Sequence, residues 1–264
     1  MSIDDDLIFA HRLADAAGEA IRPFFRRKIE VIDKGAGIAN FDPVTQADKG
    51  AEAAIRALLK AERPDDGILG EEFGEERGSS GRVWVIDPVD GTANFAEGRE
   101  EFCVMLALLE RDQVLGGWIY DPVTDRTSYA VRGAGAWSGG QRLAPPKTPN
   151  EHRGILAVGY KGDRQMAQRV QQRRARVHQV KSIRCAGLEY LRLARGEVDF
   201  LLFGGAMPWD HAPGAAIIQE LGGYISYVDG KGFRPSGALQ AGGILAARDR
   251  ATWDEIHHRL LGDA

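Results

Sequence analysis

The sequence predicts an α+β protein in two layered halves, with an antiparallel sheet first and a mixed, partly parallel sheet after it. Two observations support this. After two helical stretches, Phe102–Leu109, Val114–Tyr120 and Thr127–Val131 follow one another as strands with only short turn signals between them, the pattern of an antiparallel meander. Beyond Ala144–Pro149, where three prolines suppress regular structure, strands and helices alternate, which is how a partly parallel sheet is built. We divide the chain at 1–143 and 144–264, as two halves of one compact unit.

The elements are justified in order. Leu7, Ala10, Ala14, Ala17, Ile21 and Phe24 recur at helical spacing and end near Pro23–Arg27. Val31–Phe41, with Lys34-Gly35-Ala36-Gly37, reads as a surface loop within a hairpin. Asp42–Asp48 opens a second helix whose buried face is Ala47, Ala51, Ala54, Ile55 and Leu58, and Thr45 with Asp48 resembles a capping box. Gly67–Phe73 is a short strand running into Glu71-Glu72, and Glu75–Gly81 an exposed turn. Val83–Ile86 is a buried strand that Pro88 ends in a stiff turn. Ala136–Gly140 closes the meander as an edge or hairpin.

In the second half, Gly154–Tyr160, Val180–Ile183, Asp199–Phe203, Tyr224–Val228 and Gly243–Ala247 read as strands. Arg164–Arg176, Gly187–Arg195, Asp210–Leu221 and Ala251–Leu261 read as helices. Arg164, Arg169, Arg173, Arg174 and Arg176 form a solvated or interface face.

Bulk properties exclude several functions. The chain has 264 residues, 44% hydrophobic and 27% charged, as in a soluble globular protein with a sizeable core. A net charge of −4 argues against nucleic acid as the partner. Cys103 and Cys185 are too few for a disulfide framework and lack zinc spacing. The acidic start MSIDDDL has no apolar core of a secretory signal, and Phe102–Leu109 is too short to span a membrane. We expect a cytoplasmic protein with no membrane partner.

Candidate chemistry sits at element ends. Asp87 and Asp90 lie where the Val83–Ile86 strand gives way to Gly91-Thr92, with Asp90 expected as a helix N-cap. Asp210, in Met207–Gly214, is expected as a second N-cap, with Pro213 in the first turn. Each acid alone is explained by a turn or a cap. Together, Glu71, Asp87, Asp90 and Asp210 form a carboxylate-only set of the kind that holds Mg2+ rather than zinc, and four acids suffice for two ions. His211 is a single histidine without a partner at ligand spacing.

WVIDPVDGTANF (Trp84–Phe95) and WDHAPGAAIIQELGG (Trp209–Gly223) closely resemble the two signatures of the inositol monophosphatase family, and Gly70–Glu72 and Asp42–Asp48 match two further motifs in the same order. The resemblance implies an α/β/α/β/α sandwich, usually dimeric, that hydrolyses small phosphate monoesters and is commonly inhibited by lithium. It also implies that Glu71, Asp87, the Val89 carbonyl, Asp90 and Asp210 hold two or three Mg2+, with Asp87 bridging two. Thr92 and Glu71 match the groups that activate water, and Asp48 an acid near a weakly held third ion. Asp90, Gly91 and Thr92 match the phosphate cradle, the last two through their amides.

Two positions depart from the pattern. Phe203 stands by spacing where a glutamate contacts the ring hydroxyls of inositol, and Cys185 stands for a serine of the substrate wall. Pro213 replaces an alanine. Inositol 1-phosphate is the default substrate of the family; relatives also hydrolyse histidinol phosphate, fructose 1,6-bisphosphate, other sugar phosphates and 3′-phosphoadenosine 5′-phosphate. Some act instead as regulatory proteins in RNA-related complexes, and an inactive metal-binding relative is a third alternative.

Overall fold

The structure is a computed structural model that describes residues 3–25, 32–33, 43–44, 46–147, 150–159, 163–235 and 242–262. The chain begins with α1 (Ile3–Ile21), which turns a stripe of Phe9, Ala10, Leu13, Ala14, Ala17 and Ile21 inward. Strands β1 (Ile32–Asp33) and β2 (Pro43–Val44) pair antiparallel, as the expected hairpin requires. The Lys34–Gly37 loop, Asp42 and the Thr45 cap lie outside the described residues. Helix α2 (Gln46–Glu62) packs on α1 and buries Asp48, Glu52 and Arg56 beside its alanines, Ile55 and Leu59.

β3 (Gly67–Gly70) and β4 (Gly74–Glu76) form a hairpin, so Gly74–Glu76 is an edge strand rather than part of an exposed turn. β5 (Arg82–Asp90) leads into α3 (Thr92–Ala96). The meander follows as β6 (Cys103–Glu110), β7 (Gln113–Asp121), β8 (Arg126–Val131), β9 (Gly135–Ser138) and β10 (Gln141–Arg142). The resulting eight-stranded sheet has the order β10-β9-β8-β7-β6-β5-β3-β4 and is antiparallel except for the parallel pair β3–β5.

β11 (Arg153–Ala157), α4 (Arg164–Arg173), β12 (His178–Val180), α5 (Ala186–Ala194), β13 (Phe200–Phe203), α6 (Pro208–Glu220), β14 (Tyr224–Tyr227), β15 (Ile244–Ala247) and α7 (Arg250–Leu260) complete the chain. Their sheet is mixed, in the order β12-β11-β13-β15-β14, with β11 parallel to both neighbours. The basic residues of the α4 region grip the end of α7: Arg169 donates to the Leu261 carbonyl (2.9 Å), Arg176 to Arg259 (3.2 Å), and Arg173 to Gly262.

Alternation along the strands sorts side chains into three cores. Trp84 and Ile86 face α1 and α2, whereas Val85, Met105 and Ile119 face α5 and α6. On the second sheet, Leu201 and Phe203 face α5 and α6, and Phe200 and Leu202 face α4 and α7. Five layers result, helices α1–α2, sheet, helices α5–α6, sheet, helices α4–α7, the sandwich expected of the resemblance. The middle helices touch the first sheet closely: a Cβ on Gly117 of β7 would lie 2.5 Å from the carbonyl oxygen of Pro213 in α6.

Two expected boundaries move. Pro88 does not end its strand; β5 runs through it to Asp90, because a bulge accommodates the missing N–H. Helix α6 begins earlier than Asp210: Pro208 occupies the first turn, where a proline needs no N–H partner, and Met207 is the N-cap. Asp210 is therefore inside the helix, and Pro213 is an interior residue that forfeits one backbone bond.

Candidate active site

The bulge in β5 is the local event that builds the site. Asp87 pairs with Met105 and Asp90 with Cys103, so β5 spends one residue more than β6 over the same stretch. Residues three apart in a regular strand face opposite sides. The extra residue turns Asp87 and Asp90 to the same side, toward α5 and α6, where Met105 and Cys103 also point. Within the bulge the Val89 N–H donates to Asp87 Oδ1 at 3.0 Å.

The chain then turns sharply. Gly91 has φ +87°, and a Cβ there would lie 2.7 Å from the Glu101 carbonyl oxygen, so the turn requires glycine. Gly91, not Asp90, is the N-cap of α3. The Asp90 carboxylate is engaged elsewhere: its Oδ2 accepts from the Gly187 N–H at 2.6 Å and the Cys185 thiol at 3.1 Å, with the Cys103 thiol at 3.7 Å. Asn94 ties α3 to the approach to α5, donating to the Ile183 carbonyl at 2.8 Å.

The other acids arrive from separate elements. The Glu71 N–H donates to the Ile86 carbonyl at 3.1 Å, which sets Glu71 beside the end of β5. Burial pushes the Asp87 carboxyl well above the usual carboxylate range, and the neighbouring charges of Glu71, Asp90 and Asp210 push it further. Those four acids thus share one electrostatic site, although Asp210 lies far along the chain. Asp48, in the first turn of α2, is 2% exposed and accepts from the Thr92 hydroxyl at 3.3 Å; that hydroxyl also lies 2.9 Å from the Val89 carbonyl. Asp48 and Thr92 are thereby brought to the bulge.

Asp87 and Asp90 are buried, whereas Glu71 and Asp210 are partly exposed, and buried like charges are stable only when protonated or neutralised. The set consists of oxygen donors, four carboxylates and the Val89 carbonyl, which suits a hard divalent cation. Cys103 and Cys185 do not change that character. Their ligand atoms and that of Asp90 lie within 4.8 Å of one another, but burial pushes Cys103 up to about 11 and raises Cys185 too, so both are thiol donors at neutral pH.

The expected substrate wall has a different composition. Cys185 is 1% exposed and packs beneath Asp90. Phe203 is 7% exposed; its ring stacks on Tyr190 (5.4 Å between centroids) and tilts against His211 (4.8 Å). His211 Nε2 donates to the Gly205 carbonyl at 3.0 Å, so Nδ1 accepts from the Tyr190 hydroxyl at 3.1 Å. Burial lowers His211 to about 4. Tyr190, His211, Cys103 and Gly187 were not legible as site neighbours, because their partners are distant in sequence. The nearest local signal was the adjacency of His211 to Asp210.

The model of the inositol monophosphatase family matches residues 3–263. The chain is similar to a histidinol-phosphatase of Mycobacterium tuberculosis, 32% identical over 97% of this chain and 98% of that protein. It is also similar to the Nus factor SuhB of Haemophilus influenzae, 31% identical over 92% and 91%. Among solved structures it resembles an inositol monophosphatase from Zymomonas mobilis, with a TM-score of 0.82 and 28% identity over 98% and 99% of the two chains.

Proposed function

This chain belongs to the inositol monophosphatase family, and from that premise we propose that it is a Mg2+-dependent phosphatase of a small phosphate monoester. Glu71, Asp87, the Val89 carbonyl, Asp90 and Asp210 would hold the ions. The observation that most supports this reading is the raised carboxyl of Asp87 among three like charges, an arrangement that a cation relieves. When bound, Mg2+ would neutralise phosphate oxygens, acidify water and steady the departing alkoxide.

The chain's own groups do the rest. A threonine hydroxyl has one proton and two lone pairs. When Thr92 turns its proton from the Val89 carbonyl (2.9 Å) to Asp48 (3.3 Å), its lone pairs can accept from a water beside Glu71. A water proton can then pass toward the Glu71 carboxylate. Asp90 lies at the edge of the phosphate cradle, with Gly91 and Thr92 presenting amides at the start of α3 to phosphate oxygens. Asp90 is held in place by the Gly187 N–H and the Cys185 thiol.

The alcohol side supports a narrower reading. Phe203, Tyr190 and His211 form a neutral aromatic group whose polar atoms are already paired. Such a group offers little to a ring of hydroxyls. Inositol 1-phosphate, the default of the family, therefore stands beside histidinol phosphate, fructose 1,6-bisphosphate, other sugar phosphates and 3′-phosphoadenosine 5′-phosphate as candidates. Lithium inhibition, a homodimer and a cytoplasmic location complete the proposal.

Phosphate release from a panel of these esters, with and without Mg2+, tests it through kcat/KM. No release from any ester with Mg2+ overturns the function. A wide lead for inositol 1-phosphate overturns the reading of Phe203. A Haemophilus influenzae relative is named a Nus factor; the second reading, a regulatory protein of the same fold, would be supported by an inactive variant that still complements a gene deletion.

A further inference from the structure

We propose that the buried pair Glu52–Arg56 of α2 is a positioning pair for the cation site, acting through the turn that carries Glu71. The proposal rests on the reading of Glu71 as a cation ligand. Glu52 is fully buried. Its Oε2 accepts from the Glu72 N–H at 2.7 Å, and its Oε1 accepts from the Phe73 N–H at 3.2 Å. These are the two amides that follow Glu71.

On the other side, the Glu71 N–H is held by the Ile86 carbonyl at 3.1 Å. The Glu71 backbone is thus gripped from β5 and from α2. Arg56 completes the clasp. Its Nε donates to Glu52 Oε1 at 2.8 Å, and its other nitrogens reach the Gly74 carbonyl and Glu76 Oε2.

The fit is close enough to specify a neighbour. A Cβ on Gly70, just before Glu71, would lie 2.0 Å from Glu52 Oε1. Burying a carboxylate is costly unless donors and a counter-charge surround it. Glu52 has both, and its donors lie in the turn that presents Glu71. Asp48, Glu52 and Arg56 recur every four residues, so they share one face of α2. That face reaches the Thr92 hydroxyl with Asp48 and the Glu71 turn with Glu52. Two separately derived parts of the site are therefore set by one rigid helix.

The alternative is a clamp that only stabilises the β3–β4 hairpin. Calorimetric titration of Mg2+ into metal-stripped protein separates the two, because a plain clamp lowers the melting temperature without changing affinity in the folded protein. Glu52→Gln keeps one carbonyl acceptor but turns an NH2 toward an N–H. We expect its Mg2+ Kd to rise about tenfold, the scale for losing a group that orients a metal ligand. We also expect kcat at saturating Mg2+ to recover to within about threefold of the original.

Should Glu52→Gln fail to fold, Gly70→Ala displaces the same carboxylate from the turn side and predicts the same shift. Unchanged Mg2+ affinity in a folded variant overturns the proposal. Glu71→Gln is measured in parallel. If it too leaves Mg2+ binding intact, the ligand reading fails and the positioning proposal falls with it. If only Glu71→Gln weakens binding, the positioning proposal alone falls.

Discussion

Asp87 and His211 are both buried ionisable groups on the α5–α6 side of the first sheet, and the protein treats them in opposite ways. Asp87 is crowded by Glu71, Asp90 and Asp210, so its ionised form is penalised by burial and by like charge. His211 has a partner for each ring nitrogen and is held neutral down to about pH 4. The first region is incomplete in the sense that a cation would relieve its crowding; the second is complete in that its polar atoms pair with one another. The contrast separates two kinds of surroundings: crowded carboxylates favour a cation, whereas a paired aromatic group restricts only the shape of its neighbour.

The largest predicted effect is at the incomplete region. Asp87→Asn should lower kcat on the order of a thousandfold or more while the protein stays folded. The same change removes a repelled charge, so the metal-free variant should melt above metal-free wild type. Mg2+ at a hundred times its Kd should stabilise wild type by about 2.7 kcal/mol and the variant far less. Calorimetric melting of both proteins with and without Mg2+ checks this, and equal stabilisation would break the contrast.

A smaller effect is expected at the complete region. Phe203→Glu introduces an acceptor where ring hydroxyls could bind, at a stability cost above the roughly 1–3 kcal/mol of a neutral buried polar group, because the carboxylate is charged and the ring's packing is lost. It should shift the kcat/KM ratio toward inositol 1-phosphate by about tenfold, or 1.4 kcal/mol. A ratio that does not move would remove Phe203 from the determinants of specificity.

A further expected effect is a pH dependence of stability rather than of turnover. His211 has a folded value of about 4 against 6.5 when unperturbed, so the unfolded chain binds the extra proton first as pH falls. Its contribution is intact above pH 6.5 and is lost as pH falls toward 4, by about 3 kcal/mol in total. A cation beside Asp210 pushes in the same direction. Urea melts across that range should show a shallower acid slope for His211→Gln than for wild type.

Much of the layered fold could be read from the chain, because strand alternation and helical periodicity are local properties. The meander from Phe102 to Val131 is the clearest case. The acids at element ends were legible as residue types, but their convergence was not. Pro88 suggested a strand end, and only the unequal pairing of β5 with β6 shows why Asp87 and Asp90 share a face. Asp90 and Asp210 resemble caps in sequence; the caps are Gly91 and Met207. Glu52 carries no local signal in the sequence, because its partners in the Glu71 turn become neighbours only after β3 and β4 pair. The thiols of Cys103 and Cys185, 82 residues apart in the sequence, meet at 3.6 Å.

The close approach of Gly117 to Pro213 has a consequence for inheritance. There, α6 rests on the first sheet backbone to backbone, and only a residue without a Cβ fits at position 117. The seat of the helix that carries Asp210 thus hangs on the absence of one side chain. Phe203, Tyr190 and His211 are held by side chain against side chain, and each substitution there redraws the wall. A lineage built on this frame could redraw that aromatic group in single mutational steps while the seat of α6 stays fixed.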